Sequence, residues 1–286
     1  MPSRLPRYIA YDPPGGGIWL VKPDGTDAHQ VGPPDGTNPV WSSDAKKILY
    51  QAPAPPNSQG GVTEDAYVMN ADGTDQHPIM PSAVSSGDWI ADWNDVDFQW
   101  SPDGKQIVFT QWSAIGLSDV WIANADGSDP HGVPIDVFGG GASFSPDGSH
   151  LVFGAYVYPS PHVPNRPLTG IYAVRPDGKG LRRIVVGGYD SSWSPDGRNI
   201  IYFCLRDQTG FHGICERFRK PGSQRFLYAD RYKTLLNLSW NANGSKILVT
   251  VERGQNGVGR IALMSPSGVR LVKIGVSVAA GTYPDW

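Results

Sequence analysis

The chain is short of charge. Asp, Glu, Lys and Arg make up 18% of its 286 residues, against about 25% in ordinary globular proteins, and the formal net charge is -3 with Lys and Arg scattered. There is no basic stripe of the kind that tracks a phosphate backbone, which argues against nucleic acid as a partner. No run approaches the roughly 18 consecutive apolar residues of a membrane helix, so membrane insertion is not expected. The start, MPSRLPRYIAYDPPGGG, lacks the apolar segment of a signal peptide. The Gly-x-Ser-x-Gly nucleophile elbow is missing too, which excludes a serine peptidase. The glycine-rich GGGAS at Gly139 to Ser143 has no Lys and no following helix, and so makes no phosphate cradle. Cysteine is limited to Cys204 and Cys215.

What the chain has in excess is turn formers and aromatics: 35 Gly, 26 Pro, 10 Trp, 12 Tyr and 9 Phe. Gly and Pro are costly inside helices, and here they fall every few residues, so long helices are excluded. A hydrophobic content of 40% still supplies a core. The expected fold class is all-β.

One signature recurs through the chain: an aromatic, a short turn, two polar residues and an apolar run. It reads WSSDAKKILY from Trp41, WSPDGKQIVF from Trp100, FSPDGSHLVF from Phe144, WSPDGRNIIY from Trp193 and WNANGSKILV from Trp240. The spacings are 59, 44, 49 and 47 residues, and 46 more lead to Trp286. The half-copy missing after Trp286 stands at the other end, where Ser3 to Tyr11 matches the segment after the aromatic in the other copies. Between these anchors lies a second signature, an apolar strand and an Asp-Gly-type turn: IWLVKPDG from Ile18, AYVMNADG from Ala66, VWIANADG from Val120, IYAVRPDG from Ile171, a degenerate GICERFRKPG from Gly213, and IALMSPSG from Ile261. Gly accepts positive φ and Asp or Asn bonds its own backbone, so these are tight turns between strands. Each period holds four strands, named A (ending at the aromatic) to D, which is the arithmetic of a propeller blade. Six copies predict a six-bladed β-propeller of four-stranded antiparallel blades, one domain over residues 1–286, with N- and C-terminal segments sharing a blade in a velcro closure. The anchor Trp residues and Trp19 and Trp121 are expected between blades, and the recurrent turn Asp residues are expected as turn formers.

These repeats resemble the TolB-like, WD40-like six-bladed propeller family over essentially the whole chain. The resemblance implies a periplasmic or secreted module that binds a protein or peptide partner, and a monomer. The alternative is a channel-mouth enzyme, a lyase or lactonase-like hydrolase that is cation-dependent.

Strand alternation puts the short A-to-B and C-to-D turns on one face and every long insertion on the other. Binding residues concentrate on loops held by a rigid scaffold, so this variable-loop face is the expected binding surface. Trp89, Trp93 and Trp112 belong to or adjoin its loops and are candidate anchors, with Tyr158 and Tyr283 as further ligand-binding candidates. His162, His212 and Arg206 are the candidate catalytic cluster, with Arg166 nearby in sequence. Three residues before each anchor stand Asn38, Asp97, Gly141, Asp190, Asn237 and Tyr283. If strand A is innermost, these ring the channel, and Asn38, Asp97, Asp190 and Asn237 offer oxygen ligands that suit calcium; solvated channel residues are the other reading. The stretch Asp92 to Asp97 is a weaker cation candidate. His29, His77 and His131 sit at equivalent places in three blades and cannot converge. A hairpin centred between Gln208 and Gly210 would set Cys204 and Cys215 directly opposite, either bridged, which favours export, or as two free thiols.

Overall fold

The computed structural model describes residues 8–53, 64–80, 97–112, 118–137, 139–155, 169–205, 212–218, 224–229, 234–252, 258–268, 270–279 and 284–286. Among these there is no helix, and the strands form six antiparallel sheets arranged as a ring. Blades 2 to 6 each have four strands in sequence order, beginning with the inner strands Thr37–Trp41, Phe98–Trp100, Gly139–Phe144, Tyr189–Trp193 and Thr234–Trp240. Blade 1 has three, Ile9–Tyr11, Trp19–Val21 and His29–Gln30. Its inner edge is taken by the other end of the chain: Ala10 and Asp285 exchange two backbone hydrogen bonds, both of 2.9 Å. The N- and C-terminal segments therefore share one blade.

The burial of the strands follows from this stacking. A middle strand has a neighbouring blade on each face, so its residues read as continuous apolar runs rather than alternating ones. Leu151–Ala155 and Gly170–Val174 are buried at every residue, whereas the outermost His29–Gln30 and His131–Gly132 are exposed at both. Among the described residues the apolar core divides into six clusters, one in each gap between blades, and each holds one anchor aromatic. Trp41 packs between blades 1 and 2, Trp100 between 2 and 3, Phe144 between 3 and 4, Trp193 between 4 and 5, Trp240 between 5 and 6, and Trp286 between 6 and 1. Trp121 and Trp19 join two of these clusters. The repeated Trp is thus the wedge that a blade drives against its neighbour.

The turn Asp residues do what their spacing requires. In the Ser-Pro-Asp-Gly turns the Asp oxygen accepts the hydroxyl of the Ser two residues earlier, at 2.6–2.7 Å in Asp103, Asp147 and Asp196. It also accepts the backbone N–H two residues later. Asp147 takes a second hydroxyl, from Ser149, and these bonds hold its carboxyl down at about 2. His29, His77 and His131 each lie on a separate outer strand, with Nδ1 against the carbonyl two residues back.

Cys204 and Cys215 form a disulfide with Cα atoms 5.8 Å apart. The expected direct opposition is corrected: Cys204 faces Gly213 and Cys215 faces Tyr202. The hairpin register is centred one residue earlier than its sequence suggested, and the bridge spans a diagonal pair.

Candidate functional site

Where the inner strands converge, they enclose a cavity of about 280 Å³. Its wall contains five of the six residues that stand three before an anchor, Asn38, Asp97, Gly141, Asp190 and Asn237, so the ring expected from their spacing is present. The local backbone explains why those residue types occur. Asn38, Gly141, Asp190 and Asn237 have φ of 50°, 65°, 45° and 52°, and each falls at a break in register between its inner strand and the next. These are bulges, and a bulge residue in the left-handed region favours Gly, Asn and Asp over other side chains. The polar ring is therefore first a backbone requirement, and its carboxylates and amides follow from it.

Two of the amides are already engaged. Asn38 Nδ2 donates to the buried Gln51 Oε1 at 2.5 Å, and Asn237 Nδ2 donates to the Pro284 carbonyl at 2.8 Å. The two carboxylates converge instead. A Cβ placed on Gly141 would lie 3.6 Å from Asp190 Oδ1 and 3.8 Å from Asp97 Oδ2, so both oxygens border the space that the missing side chain leaves. Burial pushes the Asp190 carboxyl up to about 6. Among the described residues no three His, Cys, Asp or Glu side chains come together as metal ligands.

A third carboxylate was not picked out from the sequence. Asp285 Oδ2 accepts the backbone N–H of Trp41 at 2.9 Å, across the join between the chain ends. Burial raises its carboxyl, against the lowering effect of N–H groups from Trp41 and Trp286. The residue before the anchor is Val, Gln, Ser, Ser and Ser in the other blades; an acid at this one place was the available signal. Seven aromatic residues, Trp41, Phe98, Trp100, Phe144, Trp193, Trp240 and Trp286, line the cavity beside Ser, Pro and aliphatic residues, and among the described residues no Lys, Arg or His does. Ser43, Pro146, Pro195 and Ala242 carry the wall to the A-to-B turns. The cavity thus reaches the short-turn face.

Of the other candidates, Trp89, Trp93, Tyr158, His162, Arg166, Arg206 and Tyr283, with Asp92 and Asp95, lie outside the described residues. Trp112 ends the strand Gln106–Trp112 opposite Ser118, and His212 begins the strand His212–Phe218 opposite Leu205.

No family model matches the sequence, and no curated protein matches it. Solved structures do. TolB from Acinetobacter baumannii superposes with a TM-score of 0.70 at 19% identity, over 98% of this chain and 65% of that one. The chain has the TolB propeller fold. A putative TolB from Agrobacterium tumefaciens gives 0.64 at 19% identity over 96% of this chain and 90% of its own. An oligogalacturonate lyase in complex with manganese gives 0.60 at 16% over 91% and 74%. The chain therefore spans just under two thirds of the A. baumannii TolB and most of the other two, and the fold by itself does not assign a function.

Proposed function

We propose that the chain is a non-catalytic binding module, its six blades acting as one domain, and that the central cavity receives a cationic side chain of a protein or peptide partner. The observation that carries this reading is the make-up of the wall: three carboxylates, seven aromatic residues and, among the described residues, no basic side chain. A low-dielectric cleft of one charge sign attracts the opposite sign, and an ammonium or guanidinium is held further by the faces of Trp and Phe. The long loops of the opposite face, with Trp89, Trp93, Trp112 and Tyr158, are the proposed second contact surface. The Cys204–Cys215 bridge supports an oxidising, exported location.

The test uses the tryptophan in the wall as reporter. Intrinsic fluorescence is followed while short peptides carrying Arg or Lys are added, with Glu counterparts as controls. The cationic peptides should bind saturably and the acidic ones should not, and Asp97→Asn with Asp190→Asn should weaken binding about tenfold or more. Equal binding of the acidic peptides, or none of the cationic ones, would sink the reading.

One observation favours the enzyme alternative: a carboxyl titrating near 6 is suited to passing a proton near neutral pH. The same wall argues against an acidic sugar as its substrate, since three carboxylates would repel a polyanion. A neutral lactone is the remaining class, and turnover that disappears in Asp190→Asn would establish it. If calcium serves this site, Asp97 and Asp190 are the ligands that could hold it, and elemental analysis of the purified chain reads that directly.

A further inference from the structure

Blade 5 departs in sequence from blades 1 to 4 after its third strand. Blades 1 to 4 have Pro-Asp-Gly or Ala-Asp-Gly there, ending at Gly25, Gly73, Gly127 and Gly178. Blade 5 continues from Phe218 as Arg-Lys-Pro-Gly-Ser, with no acidic side chain from 219 to 223. The residue just before, Arg217, faces the gap between blades 4 and 5. Side chains alternate along a strand, and Cys215, two residues earlier, packs in the apolar cluster of that gap. Arg182 approaches from the other wall: it pairs with Ala173 of the same cluster. Two guanidinium groups thus enter one crevice from opposite sides.

Neither arginine has an acidic partner among the described residues. Glu216 projects to the other face of its strand, where Arg225 at 2.6 Å and Asn199 at 3.0 Å occupy its oxygens. Asp177 is taken by Arg175 and Lys179, and Asp196 by Arg198. A third donor stands opposite Arg217 in the register: Gln224. Its Oε1 accepts from Tyr202 Oη at 3.0 Å, which leaves its Nε2 hydrogens to donate. Burial, with the nearby Arg182 charge, holds the Arg217 guanidinium below its usual range. Convergent like charges without a counter-charge are costly, and an anion between them reverses the cost. Two planar forks and an amide match the oxygens of an anionic tetrahedral group.

We propose that the crevice between blades 4 and 5 binds a tetrahedral oxyanion, the phosphate or sulfate group of a larger ligand, clasped by Arg182 and Arg217 with Gln224 as a third donor. The site lies between outer strands of the ring, apart from the acidic central cavity. Its test is calorimetric and thermal titration of the full chain with inorganic phosphate and, separately, inorganic sulfate, with acetate at equal ionic strength as control. Phosphate and sulfate should bind saturably and raise Tm. Arg217→Gln and the exposed Arg182→Gln should each weaken binding about tenfold or more, while Arg198→Gln, on a different turn, leaves it unchanged. Without anion, Arg217→Gln should keep or raise Tm, because it removes a half-buried charge. Phosphate binding that tightens as pH rises through the second ionisation of inorganic phosphate, slightly above neutral pH, where the dianion forms, marks a phosphomonoester as the ligand, and equal, pH-independent binding of both ions marks a sulfate ester, which carries a single charge. Acetate binding as well as phosphate, or phosphate binding unchanged in both variants, would overturn the proposal.

Discussion

Asp190 carries two constraints that can be separated by substitution. Its backbone stands at a φ of 45°, and its carboxyl is raised to about 6 by burial. A folded value above the unfolded one means that ionisation is less favourable in the native state. The chain therefore loses stability as pH rises from about 4 to about 6, and the loss persists above that window. Two pKa units correspond to at most about 3 kcal/mol. Asp190→Asn keeps the left-handed preference and removes the charge, so urea unfolding should find it more stable than the parent at pH 7 and similar at pH 4. Asp190→Val removes the charge but brings a β-branched side chain to positive φ, and should lose about 1–2 kcal/mol relative to Asn. The ring of Asn, Asp and Gly was legible in the sequence as a ring. Its cause was not, because an oxygen-bearing side chain looks the same whether chosen for a cation or for a bulge; only the register breaks at Asn38, Gly141, Asp190 and Asn237 distinguish them.

The two kinds of turn differ at their glycines, although their sequences are alike. A Cβ on Gly73, whose φ is 83°, would overlap the Val31 carbonyl of the preceding blade, and Gly25, Gly178 and Gly268 meet carbonyls of Ile274, Pro134 and Leu227 in the same way. Gly148, in an A-to-B turn with φ of 69°, has nothing within 4 Å. Gly148→Ala should cost about 1 kcal/mol from backbone conformation alone, while Gly73→Ala should cost at least about 3 kcal/mol because it also pushes two blades apart; thermal unfolding of both separates the effects. Turn type was readable from Pro-Asp-Gly, but contact with the preceding blade was not, because it depends on residues distant in sequence, as Gly73 on Val31 and Gly25 on Ile274. The same limit governed the cysteines, where a slip of one position in the hairpin centre moved them from opposite to diagonal. Their bridge closes a short loop, and Cys204→Ala with Cys215→Ala should lower stability by about 3 kcal/mol, measured against the oxidised parent in urea.

At the scale of the whole molecule, period and phase were enough to count the blades and assign every anchor aromatic to a gap between them, because a repeat states its local rule six times. The wall of the cavity was only half legible. Its ring came from phase, but Asp285 occurs in one copy, and a feature present once has no repeat to reveal it. The proposed oxyanion crevice is of the same kind, drawn from a blade whose sequence after the third strand departs from the pattern. The join at Ala10 and Asp285 bears on how the molecule comes apart. A linear stack of repeats can fray from its last unit, breaking one contact at a time. A closed circle has no last unit: to leave, any blade must give up the wedges on both its sides together. Loss of order is thereby pushed toward an all-or-none event, and the hydrogen bonds that tie Asp285 to Ala10 and Trp41 separate a cooperative ring from a chain that could unwind from one end.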